Sequence, residues 1–273
     1  MNYGLPYKGS KNKIAEWVVD VLPEADTLVD LFAGGCAVTH CAMLSEKYNN
    51  YIINDIEGGI VQLFVDAVNG KYKDETRWIS REDFKLLKDK DPYIRYCWSF
   101  GNNGNGYLYG TELEPYKKAL HEMIFAKTPH ETRLAWRTVA REFAKLLPKY
   151  GCGTSLERLE SLESLESLQS LESLERLQSL ERLERLQSLE SYSLDYRKVP
   201  IPENAVIYCD IPYKNTEKYS INFNHDEFYD WCTKQTVPVY IYPNTICPKI
   251  DLKLWRKEKK LAPTVQQTIQ EKR

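Results

Sequence analysis

The distribution of apolar and polar positions predicts an α/β chain in which short apolar strands alternate with amphipathic helices. Short β-prone apolar runs predict strands at residues 27–32, 51–56, 192–199, 206–213, 237–242 and 252–255. Apolar residues at helical spacing predict helices at residues 12–22, 56–68, 134–147 and 228–231, with one more after the glycines near residue 35. Strands that alternate with helices are typical of a parallel sheet, so the predicted fold class is α/β.

A repeat interrupts this pattern between residues 155 and 190, where twelve triplets read Ser/Arg-Leu-Glu/Gln. Leucines three residues apart wind around an α-helix in steps of about 300°, and they do not match the strand period of two either. Residue propensities favour a helix, whereas a 3₁₀-helix or a small triangular solenoid would align the leucines. We favour an expanded low-complexity insert over a dedicated functional module.

Composition indicates a globular protein and narrows the class of partner. The chain has 273 residues, 42% hydrophobic and 28% charged, with a net charge of -2. The repeat carries nine Glu and four Arg, a charge of -5, so the remainder carries -2 + 5 = +3. A mildly basic remainder is compatible with a nucleic-acid partner. No apolar run reaches 18 residues and residues 1–6 contain no apolar signal core, so we expect a cytoplasmic protein without a membrane span.

The seven cysteines are scattered and form no CxxC pair, which favours reduced, mostly buried thiols over disulfides or a zinc site. We therefore predict no metal.

A glycine turn with two nearby acids forms the first candidate binding site. The run that ends in Asp30, Leu31 and Phe32 continues into Ala-Gly-Gly and a helical segment. Glycines let the backbone approach a ligand, and the helix N-terminus faces it. Asp55 follows the next strand, 25 residues after Asp30, near the offset at which an acid binds ribose hydroxyls in such sheets. Because the turn is not GxGxxG, a dinucleotide is disfavoured.

The second candidate site is the sequence Asp210-Ile211-Pro212-Tyr213 at the end of an apolar strand. Ligands of open α/β sheets bind at the carboxyl ends of strands. Asp210 can accept one hydrogen of an exocyclic amine, a backbone carbonyl can accept the second, and Tyr213 can stack on a planar base.

Residues 74–150 are rich in tryptophan, tyrosine, lysine and arginine, and they contain a loop of glycines and asparagines at 101–106. Asparagine side chains can read adenine edges, and basic side chains can contact phosphates. The candidate DNA contacts are Arg95, Asn102, Asn103, Tyr107 and Lys117.

Four motifs, in this order, resemble those of the Dam-type DNA adenine methyltransferases. They are Tyr7-Lys8-Gly9-Ser10-Lys11, Asp30-Leu31-Phe32-Ala33-Gly34-Gly35, Asn54-Asp55-Ile56 and Asp210-Ile211-Pro212-Tyr213. The resemblance covers the chain apart from the repeat.

The resemblance implies site-specific methylation of adenine in double-stranded DNA with S-adenosylmethionine as cofactor, by a monomer without a metal. It implies a Rossmann-like methyltransferase domain at residues 1–73 and 191–273, a mainly helical target-recognition domain at 74–150, and the repeat insert at 151–190. The implied cofactor-binding residues are Tyr7, Lys11, Asp30, Phe32, Gly34, Asp55 and Asp210. The implied catalytic residues are Asp210, Ile211, Pro212 and Tyr213.

Two departures from the family pattern leave alternatives open. Ile211 replaces the first proline of the catalytic motif, which removes a fixed φ and adds an N–H. The strand near residue 239 continues into Tyr242-Pro243-Asn244 rather than a Ser-Glu-Tyr-like segment. The alternatives are an inactive or weakened DNA-binding relic, and a methyltransferase that acts on RNA or on a protein amide.

Overall fold

A computed structural model describes residues 2–150, 168–183, 188–212, 223–242 and 253–255. The chain divides into two compact units. The first comprises residues 1–5, 9–65 and 182–273, and the second comprises residues 6–8 and 66–181. Tyr213 and the segment 243–250 that follows the last parallel strand lie outside the described residues.

A six-stranded sheet forms the centre of the first unit, with strand order β3-β2-β1-β4-β5-β6. The strands are β1 (Thr27–Asp30), β2 (Asn50–Asn54), β3 (Ser188–Tyr192), β4 (Ala205–Cys209), β5 (Val239–Ile241) and β6 (Lys253–Trp255). The first five are parallel to their neighbours, and β6 pairs antiparallel with β5. The order reverses at β1, which lies between β2 and β4, so the carboxyl ends of β1 and β4 flank the switch point where ligands bind in such sheets. The predicted parallel α/β sheet is confirmed.

Apolar helix faces cover this sheet. The helices are α1 (Ala15–Val21), α2 (Ala37–Leu44), α3 (Gly58–Val68), which runs across the boundary of the units, and α9 (His225–Thr233). Phe228 and Cys232 of α9 pack with Ile207 of β4 and Val239 of β5 in one buried cluster. Asn224 begins α9, because its side chain accepts hydrogen bonds from the backbone N–H groups of residues 226 and 227 at 3.1 and 3.2 Å.

The described part of the second unit is helical. It contains α4 (Arg81–Leu87), α5 (Pro92–Cys97), α6 (Glu114–Ile124), α7 (Pro129–Tyr150) and α8 (Gln169–Leu180). Thr128 and Glu131 form a reciprocal capping box at the start of α7, with bonds of 3.2 and 3.0 Å. The predicted end of this helix at Pro148 is wrong, because the helix continues through Pro148 to Tyr150.

Residues 169–183 and 188–190 of the repeat lie in regular structure. Leu174, Leu177 and Leu180 of α8 are buried. Because each triplet shifts the next leucine by about 60° around the helix, three leucines span only about 120°. A short helix therefore keeps them on one face, and the objection to a helical stripe applies only to a longer run.

The strand predicted at residues 192–199 is wrong in position. β3 is Ser188–Tyr192, and a 3₁₀ turn occupies Tyr196–Lys198. Among the described strands, β3 pairs only with β2, and it has no buried residue, so its polar sequence carries no apolar signal. Among the described helices, none has the length and apolar character that a membrane crossing needs. The described cysteines are free and buried, as predicted: Cys36, Cys41, Cys97, Cys209 and Cys232.

Candidate active site

The turn after β1 exposes backbone N–H groups at the start of α2. Gly34 and Cys36 adopt left-handed conformations, with φ of 47° and 56°, and α2 begins at Ala37. The Ala33 N–H donates to the Asn54 carbonyl at 2.9 Å, which joins the turn to the end of β2. The predicted strand, glycine turn and helix are confirmed, and this arrangement suits an anionic or polar ligand.

The N-terminal segment is bound directly to this turn. The Leu5 N–H donates to the Gly35 carbonyl at 2.7 Å, and the Gly4 N–H donates to Nδ1 of His40 at 2.8 Å. Gly4 has φ of 67°, and a Cβ there would lie 2.3 Å from the Gly35 oxygen, so only glycine fits. Burial lowers the pKa of His40 to about 4, so its neutral ring accepts this bond. Neither Gly4 nor His40 was among the site residues predicted from the sequence.

Asp55 lies beside the same turn. Its Oδ2 accepts a hydrogen bond from the Gly34 N–H at 2.9 Å, and its Oδ1 accepts one from the Glu57 N–H at 2.9 Å. Burial raises the pKa of Asp55, and these two donors oppose the rise. Asp55 therefore stabilises the glycine turn after β1, and its carboxylate lies beside that turn.

Asp30 ends β1 with a carboxyl group that is only 2% exposed. Its Oδ2 accepts a hydrogen bond from the Thr39 hydroxyl at 2.8 Å, whereas its Oδ1 has no partner among the described residues. Burial raises the pKa of Asp30 to about 7, the charges of Asp210 and Asp55 add to the rise, and Thr39 opposes it. A buried carboxyl oxygen without a partner needs a donor or a cation.

Asp210 follows β4 and forms an ion pair with the Lys11 ammonium group. Its second oxygen, Oδ1, is buried and has no partner among the described residues. Burial raises the pKa of Asp210, and the charge and hydrogen bond of Lys11 lower it. The Lys11 ammonium also lies 5.4 Å from the centre of the Tyr242 ring. One oxygen of Asp210 is thus held by Lys11 and the other is available to a ligand.

The backbone after Asp210 is held by His225, which was not among the site residues predicted from the sequence. His225 places Nε2 at 3.0 Å from the Pro212 carbonyl oxygen and Nδ1 at 3.2 Å from the Phe223 carbonyl oxygen. These carbonyls flank residues 213–222 in the sequence. The Ile211 side chain is 8% exposed and packs in the cluster of β4, β5 and α9. Asn224, which caps the helix that begins at His225, was the one available sequence signal.

Phe32 and Tyr7 both pack on aromatic rings. The Phe32 ring lies 5.7 Å from Phe223 and from Phe228, centre to centre. Tyr7 belongs to the second unit, where its ring meets Tyr96 edge-on at 5.9 Å. Five of the predicted site residues lie together in the first unit, joined by the contacts described above: Lys11, Asp30, Gly34, Asp55 and Asp210.

The five candidate DNA contacts all lie in the second unit, and most already have internal partners. The Asn102 amide donates to the Tyr96 carbonyl at 2.9 Å, and the Asn103 side chain accepts from the Asn105 N–H at 2.9 Å. The Tyr107 hydroxyl donates to the Ile79 carbonyl at 2.7 Å.

The other two candidates differ in exposure. The Arg95 guanidinium lies 5.6 Å from the Tyr96 ring and is partly exposed. Lys117 is 2% exposed, and burial lowers its pKa to about 8. The assignment of Lys117 as a phosphate contact is therefore corrected, because its ammonium group is inside the unit. No group of metal-ligating side chains occurs in the part of the chain that the structure describes.

Residues 7–128 match the sequence model of a family described as D12 class N6 adenine-specific DNA methyltransferase. The matched range includes Lys11, the glycine turn and Asp55, and Asp210 lies outside it. The match supports an adenine DNA methyltransferase. No curated protein sequence matches the chain.

Proposed function

We propose that this protein transfers a methyl group from S-adenosylmethionine to the exocyclic amino group of adenine at specific sites in double-stranded DNA. The observation that carries the proposal is Asp210, a half-buried side chain at the switch point of a parallel sheet. One of its oxygens is paired with Lys11, and the other is buried and has no partner among the described residues. The family match over residues 7–128 supports the substrate class.

The residues present fit the cofactor. S-adenosylmethionine carries a sulfonium and an ammonium group, and the free oxygen of Asp30 lies in a cluster with Asp55 and Asp210, which offers negative charge to a cation. Its carboxylate suits Lys11, and its ribose hydroxyls suit Asp55. The residues proposed to hold it are Tyr7, Lys11, Asp30, Phe32, Gly34, Asp55 and Asp210.

When bound, the cofactor supplies an electrophilic methyl group. The adenine amine is a weak nucleophile because its lone pair is delocalised into the ring. Oδ1 of Asp210 accepts one amine hydrogen and the Ile211 carbonyl accepts the other, which favours the pyramidal, nucleophilic form. Tyr213 stacks on the flipped base, and the proton lost from the amine passes to solvent. The contribution of the protein is mainly positioning.

We assign catalysis to residues 1–73 and 191–273, target recognition to 74–150, and an insert to 151–190. The two compact units meet at residues 65/66 and 181/182, which supports a catalytic part made of two chain segments with another part between them. The helical character of the second unit supports its assignment as the recognition part.

The decisive experiment is methylation of plasmid DNA by the purified protein, followed by sequencing that detects N6-methyladenine. Wild type should produce methylated adenine in one sequence context, and Asp210→Ala should produce none. The exposed residue Asp20 provides a matched control, since Asp20→Ala should leave the pattern unchanged.

One observation favours a second candidate function, a DNA-binding relic without turnover. Ile211 stands where the family has a proline, so the acceptor carbonyl lacks the fixed φ. Cofactor binding in calorimetry without methyl transfer to DNA would identify the relic. Transfer to RNA or to a protein amide, but not to DNA, would identify a different substrate.

A further inference from the structure

A stripe of basic side chains runs along the exposed side of α7. Arg133, Arg137, Arg141 and Lys145 recur every fourth residue, and all four are exposed. Four residues advance a helix by about 6 Å with a drift of about 40°, so the stripe extends about 18 Å along the helix axis and turns by about 120° between Arg133 and Lys145. The helix 129–150 carries five Lys and Arg against two Glu, a charge of +3 in a chain of net charge -2.

The fold does not account for the stripe. The opposite side of α7 packs against α6, with Val139 and Leu146 beside Tyr116 and Ala119. Arg141 and Lys145 share Glu142, at 3.0 and 2.8 Å. Arg133 and Arg137 have no ion-pair partner among the described residues, so their charge remains open to an external anion.

The surface around these arginines suits close contact. Ala140 and Ala144 are exposed between the basic side chains, so the helix backbone can approach a partner closely. Trp136 is 60% exposed, next to Arg137. A membrane surface would require a continuous apolar face opposite the charges, and the apolar face of α7 is the one buried against α6.

We propose that the stripe of Arg133, Arg137, Arg141 and Lys145 binds the phosphate backbone of duplex DNA. This inference rests on the proposed function for the identity of the polyanion. Each strand of duplex DNA carries one phosphate for about every 3.4 Å of the duplex axis, so an 18 Å stripe of cations faces a dense row of anionic groups. Guanidinium groups pair with phosphate in bidentate geometry, and such contacts fix register without reading sequence.

The test compares full-length wild type with Arg133→Gln/Arg137→Gln. The matched control is Lys118→Gln/Lys234→Gln, which removes the same charge from exposed lysines that each have an acid four residues away. Binding of a fluorescein-labelled 24-base-pair duplex of mixed sequence is followed by anisotropy between 50 and 200 mM NaCl.

Removal of two phosphate contacts should reduce the slope of log K against log salt by about 1.8, so wild type should lose about tenfold more affinity than the double variant over this range. The control should keep the wild-type slope, and so should Arg133→Lys/Arg137→Lys, which keeps the charge. Thermal unfolding reports folding, and Arg137→Gln alone, with an expected change of about 0.9, replaces a double variant that fails to fold.

Equal slopes for wild type and the arginine-to-glutamine variants would overturn the proposal, as would an equal reduction of the slope in the Lys118→Gln/Lys234→Gln control. Loss of binding to single-stranded RNA but not to duplex DNA would also overturn it. A slope change in a protein that methylates no adenine would support this surface while the proposed function fails. Adenine methylation with an unchanged slope would support the function and overturn the surface.

Discussion

Nε2 of His225 lies 3.0 Å from the carbonyl oxygen of Pro212, two residues after the proposed catalytic carboxylate. The other ring nitrogen lies 3.2 Å from the Phe223 carbonyl. A neutral imidazole can donate to only one of these oxygens, and an imidazolium can donate to both. The contact with Nε2 holds the Pro212 carbonyl and, through it, the backbone of residues 210–212 that follows β4.

We expect His225→Ala to reduce the single-turnover methylation rate by about ten- to a hundredfold, since small misplacements of reacting groups have effects of this size. Cofactor affinity by calorimetry should not change. His225→Gln keeps a donor for one carbonyl and should recover part of the rate. An unchanged rate in the alanine variant would remove His225 from the positioning of this backbone.

Loss of Lys11 should change how the reaction depends on pH. Burial raises the pKa of Asp210 and Lys11 lowers it, so Lys11→Met should let the pKa rise. An ionised Asp210 is a stronger acceptor for the amine hydrogen than a protonated one, and the acidic limb of the single-turnover rate should therefore move to higher pH at saturating cofactor. Lys13→Met, next to the motif, is the control. An unmoved acidic limb would show that the ion pair does not govern ionisation.

Asp30 should make stability fall as pH rises. Its pKa of about 7 in the folded protein exceeds the ordinary value of 3.8, so the folded state binds one more proton than the unfolded state between these values. Asp30→Asn removes this dependence and should stabilise the protein by up to about 4 kcal/mol at pH 8 relative to pH 4. Urea unfolding at both pH values measures the difference. Parallel curves for wild type and variant would contradict the buried-acid explanation.

Ile211→Pro should raise the single-turnover rate, because proline fixes φ and removes a competing donor. The side chain is buried, so the exchange should also cost about 1 kcal/mol of stability through lost packing. Ile211→Val also shortens the side chain without fixing φ, and it should lower stability with little change in rate. If the proline variant is no faster than the valine variant, isoleucine is harmless here.

Leu177 tests the packing of the repeat. It is fully buried in α8, so Leu177→Ala should lower stability by about 2–5 kcal/mol. Leu171→Ala, at the partly exposed start of the same helix, should have a smaller effect. Chemical denaturation measures the free energy of unfolding of both variants. Equal small losses would show that the leucines of the repeat do not contribute to the core.

Apolar runs with strong β-propensity predicted β1, β2, β4 and β5, because both faces of these strands are covered and most of their buried positions are apolar, the exceptions being Thr27, Asp30 and Asn54. The glycine turn could be predicted because few residues tolerate the left-handed backbone at Gly34. The edge strand β3 could not, since exposed positions carry no pattern. The burial of Lys117 and the contacts of His225 depend on tertiary packing, which local sequence does not encode.

The repeat contains the same tripeptide in two conformations. Ser170-Leu171-Glu172 is helical in α8, whereas Ser188-Leu189-Glu190 is extended in β3. Its conformation is therefore decided by the neighbour, a helical unit in one case and the free edge of β2 in the other. A triplet added to the repeat or removed from it would supply the next element with nearly the same three residues. The number of triplets can therefore change while the strand at the edge of the sheet keeps its sequence.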